Sequence, residues 1–236
     1  MTWSIIARDP MSGAFGIAVA TRFFAVGSLV PHAGSDIGAL CTQALVNPIY
    51  GPSGLALLRD GAAATEVVGR LTAADAGAAH RQLHVMDRAG NTAAHTGSAC
   101  IGWCGDAHAE GFSIAGNMLT GPAVIEQTAA AYRSHADRPF ADRLIRALEA
   151  GEAAGGDKRG KQSAALLICS TEDYPDLDLR VDDHAEPLIE LRRLYDVSQT
   201  YYTPFKRFLP TRAHPAGIYD RTVIEAGIKA ALAAQH

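Results

Sequence analysis

Thr2-Trp3-Ser4-Ile5-Ile6-Ala7 is the stretch of sequence that decides the fold. Larger apolar residues alternate there with smaller or polar ones, a pattern typical of a β-strand. A turn follows over residues 9–13, and a second alternating segment begins at Phe15. The two segments predict a β-hairpin that begins at the second residue of the chain.

Thr2 is also a candidate nucleophile. Its side chain is small, so we expect Met1 to be removed during synthesis, leaving a hydroxyl and a free amine on one residue. Such an amine can take the hydroxyl proton, and an α-amino group titrates near about 7.7–8.0, close to neutral pH. The alternative is a Met-Thr start without catalytic meaning, and retention of Met1 would remove the base.

The composition is that of a globular protein. The chain has 236 residues, of which 48% are hydrophobic and 19% charged, enough for one large domain or two small ones. The net charge of −4 argues against nucleic-acid or membrane partners. Four cysteines are too few for a disulfide scaffold, and Arg8 and Asp9 interrupt any signal peptide. We expect a cytoplasmic protein.

Strand patterns dominate the first half of the chain, and helical spacing dominates the middle. Beyond the hairpin we predict strands at 37–43, 82–87, 92–95, 112–115, 164–168 and 178–182. Short helices are predicted near Leu55 and at 65–71, and longer ones from Pro122, Pro139 and Pro187 and at 222–234. This order indicates α+β layers, with one domain over 1–195 and an extension over 196–236 that is aromatic and loop-like from Tyr195 to Pro215.

Residues 155–163 almost match a phosphate-binding P-loop. Gln162 occupies the position of the magnesium-binding hydroxyl, and a helix precedes the loop where a P-loop needs a strand. We therefore reject nucleotide binding. Two interpretations remain: a glycine helix cap with solvated cations, or a site formed by Asp157, Arg159, Gln162 and Ser163.

Three further groups carry chemistry. His95, Cys100, Cys104 and His108 are of metal-ligand type, but spacings of four, three and three residues match no common zinc pattern, so we predict core cysteines and no metal. Asn117 lies before the helix at Pro122 and is either an oxyanion donor or a turn residue. Arg22, Gln43 and Asn47 follow predicted strands and are either substrate ligands or structural.

Six segments together resemble the bacterial domain-of-unknown-function 1028 family. They are MTWSIIARDP (1–10), TQALVNPIYGPSGL (42–55), AAHTGSAC (93–100), GNMLTGP (116–122), LEAGEAAGGDKRGKQSAALL (148–167) and DLRVDDH (178–184). The resemblance implies an Ntn-hydrolase-like fold, a four-layer αββα sandwich of two antiparallel sheets whose first strand carries the catalytic residue. It also implies amidohydrolase or peptidase chemistry on an unestablished substrate.

The chain is more distantly similar to proteasome-type β subunits. Those proteins also begin a hairpin with threonine, and their Asp and Ser after the second central helix correspond to Asp157 and Ser163. The aspartate after their second strand falls near Ala20-Thr21-Arg22, and their lysine near Gly34-Ser35-Asp36. The charges that activate the threonine therefore differ, and Arg22 is the remaining candidate cation.

These observations predict an N-terminal-nucleophile hydrolase acting on a small amide or peptide without a cofactor. The predicted catalytic residues are Thr2, Asn117, Asp157 and Ser163, and the predicted substrate ligands are Arg22, Gln43, Asn47, Arg159 and Gln162. A non-catalytic binding or assembly protein is the first alternative, and a cysteine- or metal-dependent hydrolase is the second. The aromatic tail predicts a homo-oligomer.

Overall fold

The computed structural model describes residues 2–234. The chain divides into two compact units, one ending at Leu191 and the other starting at Arg192. This boundary and the one predicted between residues 195 and 196 both lie inside one helix, Pro187–Thr200.

The first unit contains a six-stranded antiparallel sheet with the N-terminal hairpin at its centre. Its strands run in the order β10-β9-β2-β1-β8-β7. Their bounds are β1 Thr2–Arg8, β2 Phe15–Thr21, β7 Trp103–Ala109, β8 Phe112–Leu119, β9 Ser163–Cys169 and β10 Leu177–Val181. A four-stranded antiparallel sheet lies against it, with β3 Pro31–Gly34, β4 Gly38–Ala44, β5 Arg81–Asp87 and β6 Thr92–Thr96 in that order.

Helices cover the outer face of each sheet. Helices α1 (Tyr50–Arg59) and α2 (Ala64–Ala73) pack on the smaller sheet, and α3 (Ala123–Ser134) and α4 (Phe140–Ala153) pack on the larger one. A Cβ on Gly16 would overlap Leu144 and Phe140, so α4 packs directly on β2. The four-layer αββα sandwich that the resemblance implied is therefore confirmed.

Strand β1 is buried on both faces, because helices cover one side and the second sheet covers the other. Trp3 points toward Gly151 of α4, whereas Ile6 belongs to the apolar cluster with Cys41 and Met86 between the sheets. The alternating residues of β1 thus face two buried environments, the helices on one side and the second sheet on the other. Neither face of this strand is exposed to solvent.

Two strands were missed in the sequence, and a third was predicted too short. β3 and β7 were missed; β7 is half exposed and its sequence, Trp-Cys-Gly-Asp-Ala-His-Ala, has no apolar alternation. β8 continues to Leu119, so the segment from Gly116 is strand and not loop, because it pairs with β1.

The tail is largely helical. Helix α5 (Pro187–Thr200) runs past residue 195, and α6 (Tyr202–Phe205) follows it. Helix α7 (Arg221–Ala233) is capped by Asp220, whose carboxylate accepts the amide protons of Thr222 and Val223. None of the helices within residues 2–234 is both long and apolar enough to cross a bilayer.

Candidate functional site

Four polar residues form a row across the centre of the larger sheet. Strand register places Asn117 of β8 beside Thr2 of β1, Thr2 beside Thr21 of β2, and Thr21 beside Ser163 of β9. Cross-strand partners point to the same face of a sheet, and this face meets the smaller sheet. The hairpin and the two returning strands therefore bring together residues that lie far apart in the sequence.

The Thr2 hydroxyl is buried between Asn117 and Thr21 in this row. Thr2 is 6% exposed, and its Oγ1 donates to Oγ1 of Thr21 at 3.2 Å. It lines a cavity of about 60 Å³, called here the Thr2 cavity. The other lining residues are mostly apolar: Thr21, Phe23, Val26, Leu29, Val30, Gln43, Ala44 and Val46.

Asn117 offers this site an acceptor. Its Nδ2 donates to Oε1 of Gln82 at 3.0 Å and to the backbone oxygen of Thr2 at 3.4 Å. Its Oδ1 is buried and has no hydrogen-bond partner within the described chain. Because both amide hydrogens are engaged, the geometry does not support the predicted role of this side chain as an oxyanion donor.

The orientation of Asn117 is fixed by two backbone carbonyls. Nε2 of Gln82 donates to the oxygens of Gly116 at 2.8 Å and Gly105 at 3.3 Å, and carbonyl oxygens only accept. Oε1 of Gln82 must therefore face Asn117, and Asn117 must turn its Nδ2 toward it. The opposite placement of either amide would set two acceptors against each other.

The hydrogen-bond network continues from Gln82 into the space between the two sheets. Gln43 donates to Oε1 of Gln82 at 2.7 Å and accepts from the Ser4 hydroxyl at 2.8 Å. Since the Ser4 proton is used, Nε2 of His84 donates to Ser4 at 2.8 Å, and Nδ1 accepts from Ser113 at 2.9 Å. Burial lowers the pKa of His84 to about 3, so the ring is neutral.

Four members of this network were not predicted from the sequence: Ser4, Gln82, His84 and Ser113. The available signal was a pair of polar residues two positions apart in each of β1 and β5, Thr2 with Ser4 and Gln82 with His84. Gln43 was predicted as a substrate ligand. It borders the Thr2 cavity, but both ends of its amide are bonded inside the protein.

Asp157 holds the loops beside the row. Its carboxylate accepts from the backbone amide of Arg22 at 2.8 Å and that of Arg159 at 2.8 Å, and it forms an ion pair with the Arg159 guanidinium at 3.2 Å. The Arg22 guanidinium in turn donates to the backbone oxygen of Arg159. The structure thus brings Arg22, Asp157 and Arg159 together. The hydrogen bonds of Asp157 join the loop at Arg22 to the loop at Arg159.

Ser163 performs a similar task one strand away. Its hydroxyl donates to the backbone oxygen of Phe23 and accepts from the amide of Val26 at 3.2 Å. Phe23 and Val26 both line the Thr2 cavity. Ser163 and Asp157 therefore shape the segment 22–26 that walls the site.

Two predicted ligands use their side-chain amides in loops. Asn47 donates to Asp75 at 3.1 Å and accepts from the amide of Ile49. Arg81, with Gly77, Tyr50 and Asn47, holds the pKa of Asp75 well below its usual range. Gln162 donates to Asp183 at 3.2 Å. Their side-chain amides organise loops.

Backbone strain concentrates around the site. Four non-glycine residues of the described chain have positive φ, and three of them border the site: Ala25 at 53°, Ala44 at 68° and Met118 at 52°. Each such residue costs about 1–3 kcal/mol, and strain of this kind clusters at functional sites. This supports a functional interpretation of the surrounding surface.

A wider outer pocket of about 420 Å³ adjoins the Thr2 cavity, with which it shares Phe23 and Ala44. Its remaining lining residues are Leu45, His80, Ala99, Cys100, Ile101, Asn117, Met118 and Arg159. Phe23, Leu45 and Ile101 are each more than half exposed. The mouth of the site thus combines an apolar rim with the guanidinium of Arg159.

The metal-type residues are engaged separately. Nε2 of His95 hydrogen-bonds to the backbone oxygen of Ala78, Cys100 donates to that of Arg81, Cys104 to that of Ile101, and His108 pairs with Asp106. Within residues 2–234 no group of three or more His, Cys, Asp or Glu is arranged to hold a metal. Burial raises the pKa of the Cys41 and Cys169 thiols to about 12 and also raises that of Cys100.

The fold and this site define an αββα sandwich protein with a threonine at the head of a central strand. Residues 2–191 match the family of unknown function DUF1028, and the chain belongs to that family, as the sequence analysis predicted.

Two solved structures are similar to this chain. A DUF1028 protein from Silicibacter pomeroyi is 35% identical, with a TM-score of 0.86 over 93% of this chain and 99% of that chain. Anbu, an ancestral β-subunit from Yersinia bercovieri, is 12% identical, with a TM-score of 0.39 over 83% of this chain and 94% of that chain. No curated protein matches the chain.

Proposed function

We propose that the protein is an N-terminal-nucleophile hydrolase of a small amide or peptide, with Thr2 as the nucleophile. The proposal rests on the position of Thr2. This residue starts a central strand beside Asn117 and lines a cavity. A nucleophile on a rigid strand, next to strained backbone and an open pocket, is what acyl transfer requires.

The proposed reaction needs Met1 to be removed; Met1 lies outside the described residues. Oγ1 of Thr2 attacks the carbonyl carbon while the freed α-amine takes the hydroxyl proton. The C–N bond then breaks, the leaving amine takes that proton, and the acyl group stays on Thr2 as an ester. Water attacks the ester, with the α-amine again as base, and releases the acid.

Of the neighbouring residues, Asn117 contacts the reacting groups, and Asp157 and Ser163 hold the surrounding chain in position. Oδ1 of Asn117 is an acceptor beside Thr2, suited to the N–H groups of the α-amine or of the substrate. Backbone amides then serve as oxyanion donors. Asp157 and Ser163 position the segment 22–26 through the bonds described above and do not themselves react.

The lining of the two pockets supports a substrate with an apolar part and a carboxylate. The Thr2 cavity is small and apolar, so it suits a short aliphatic group. Arg159, which pairs with Asp157, lies in the outer pocket, and Arg22 is bonded to its backbone; a guanidinium has five N–H donors and suits a second carboxylate. Acylated amino acids and short peptides have both features.

Three variants at position 2 test the proposal. Thr2→Ala and Thr2→Ser both keep a small residue behind Met1, so processing is preserved and only the hydroxyl changes. We expect hydrolysis of acylated amino acids, small peptides or cyclic amides to be abolished in Thr2→Ala and Thr2→Val and partly retained in Thr2→Ser. Thr65→Ala, on an exposed turn of α2, is the matched control.

Intact mass and thermal unfolding accompany the assay. Retention of Met1 in protein made in its own host, or equal activity in Thr2→Ala and the wild type, would contradict the mechanism. Melting temperatures that agree among the variants exclude misfolding as the cause of a loss.

A non-catalytic binding protein is the second candidate, and one observation favours it. The described partner of the Thr2 hydroxyl is another hydroxyl, and the β3 side of the cavity is lined by the apolar Leu29 and Val30. A binding protein would retain ligand affinity in Thr2→Ala and would turn over none of the substrates.

A further inference from the structure

A second cleft lies at the end of the sandwich opposite Thr2. It has a volume of about 610 Å³ and is formed by the turns that join β1 to β2, β5 to β6 and β7 to β8. We call it the Arg8 cleft; its lining residues are Arg8, Pro10, Ala89, Gly90, Asn91, Thr92, His108, Ala109, Glu110 and Gly111. Arg8 ends the strand that Thr2 begins, so about 20 Å separates the two sites.

The Arg8 guanidinium is bonded to no carboxylate within the described residues. Within residues 2–234 it makes no hydrogen bond or ion pair, and its Nε is buried without a partner. Arg81, Arg146, Arg159 and Arg180 each pair with a carboxylate. A part-buried cation loses hydration free energy, and only a bound anion would offset that loss.

Two glycine turns lie against the Arg8 side chain. Gly13 and Gly90 flank the side chain in left-handed turns, with φ of 75° and 90°, and a Cβ on Gly13 would lie 3.4 Å from Nη2 of Arg8. The carboxylate of Asp87 fixes the second turn by accepting the amides of Ala89 and Asn91, each at 3.0 Å. The Arg8 side chain therefore runs between these two turns and lines the cleft.

We propose that the Arg8 cleft binds the carboxylate or phosphate group of a small polar ligand through the guanidinium fork. The planar fork matches both oxyanions in a bidentate geometry. On the same wall, Thr92 hydrogen-bonds to His108 at 2.9 Å and His108 pairs with Asp106 at 2.9 Å. The exposed carboxylate of Glu110 lines the same cleft, so it favours ligands of low charge or with an ammonium group beside the oxyanion.

Titration with defined probes tests this site, and the test is independent of any hydrolase activity. Acetate, glycine and inorganic phosphate are titrated into the full chain, and amide chemical shifts of Gly90, Asn91 and Gly111 are followed. We expect at least one probe to saturate with a dissociation constant on the order of millimolar. The probe that binds best distinguishes a carboxylate, a zwitterion and a phosphate.

Two substitutions and a control locate the binding. Because charge-assisted hydrogen bonds contribute about 1.5–3 kcal/mol, Arg8→Ala should weaken binding about tenfold or more, and Arg8→Lys should lie between it and the wild type. Arg88→Ala removes the same charge from a neighbouring turn where Arg88 is already bonded to Asp36, so binding should stay within about twofold.

Two results would overturn the proposal. One is the absence of saturable shifts at these turns with all three probes up to about 50 mM, well above the expected millimolar constant. The other is equal binding by the wild type and by folded Arg8→Lys and Arg8→Ala. If Arg8→Ala does not fold, Arg8→Lys and Arg8→Gln provide the comparison, and a match between Arg8→Gln and the wild type counts against the site.

Discussion

Ala44 carries a backbone conformation that its own side chain disfavours. Its φ is 68°, and it lies at the end of β4 where the Thr2 cavity meets the outer pocket. An L-residue in the left-handed region costs about 1–2 kcal/mol that glycine avoids. Substitution by glycine should therefore change the free energy of unfolding differently at Ala44 than at a strand position with negative φ.

We predict that Ala44→Gly leaves the free energy of unfolding unchanged or raises it by about 1 kcal/mol, because strain relief exceeds the entropy gained by the unfolded chain. Ala94→Gly, in β6 and without positive φ, should lower it by about 0.5–1 kcal/mol. Urea denaturation measures both. Equal losses at the two positions would show that Ala44 is not strained.

His84 gives the protein a characteristic response to acid. The folded state lowers its pKa from 6.5 to about 3, mainly by burial. The unfolded chain therefore binds a proton below about pH 6.5, whereas the folded chain binds one only near pH 3. The contribution of His84 to stability is complete above pH 6.5 and is lost as the pH falls.

The predicted slope is about 1.4 kcal/mol per pH unit between about pH 6 and pH 4 for this one group. His32, whose pKa is also lowered by burial, adds to it. In His84→Gln the slope should decrease, although the variant itself is less stable. Urea denaturation across this range measures the slopes; identical slopes in His84→Gln and the wild type would contradict the assignment.

At the scale of elements, the segment 22–26 is the most informative. It leaves β2, passes the Thr2 cavity and carries the strained Ala25. β9 and the loop before it hold this segment through side chains, since Ser163 bonds to Phe23 and Val26 and Asp157 bonds to Arg22. Its order therefore depends on contacts more than 130 residues away in the sequence.

Ser163→Ala should loosen this segment without unfolding the sandwich. The amide of Val26 loses its acceptor, which costs about 1–2 kcal/mol and should raise its hydrogen-exchange rate about tenfold. Exchange in the core of β1 should change less, and Ser134→Ala at the exposed end of α3 should have no effect on Val26. Unchanged exchange at Val26 would show that the hydroxyl does not hold the segment.

At the scale of the whole molecule, the second unit exposes aromatic surface. Tyr219 is 84% exposed and Tyr201 is 57% exposed. Aromatic residues are enriched at subunit contacts, so the prediction of a homo-oligomer formed through the tail stands as a proposal, with a two-fold dimer as its simplest form.

Truncation after Thr200 removes the remaining tail and keeps helix α5 whole. We expect light scattering to give an oligomeric mass for the full chain and a smaller assembly for the truncated one. The double variant Tyr201→Ser and Tyr219→Ser should weaken assembly with less disturbance of the chain. A monomeric full chain, or an unchanged mass after truncation, would contradict the proposal.

Elements with local sequence signals could be predicted without the structure. The strand at Thr2, the hairpin turn, and the helices from Pro122 and Pro139 follow from apolar periodicity and from proline at helix starts. The family resemblance supplied the layer order. β7 was missed because a half-exposed strand with glycine and histidine carries no such periodicity.

Which donors and acceptors face the site depends on packing between distant strands. The sequence placed Asn117 beside Thr2 as a donor, but its amide is turned by Gln82, which is itself oriented by the carbonyls of Gly105 and Gly116. Which atom of each amide donates is set by its partner on the neighbouring strand. It therefore depends on the register between distant segments and on no local sequence pattern. For the same reason, the lack of a carboxylate bonded to Arg8 became visible only once the three turns around it had been placed.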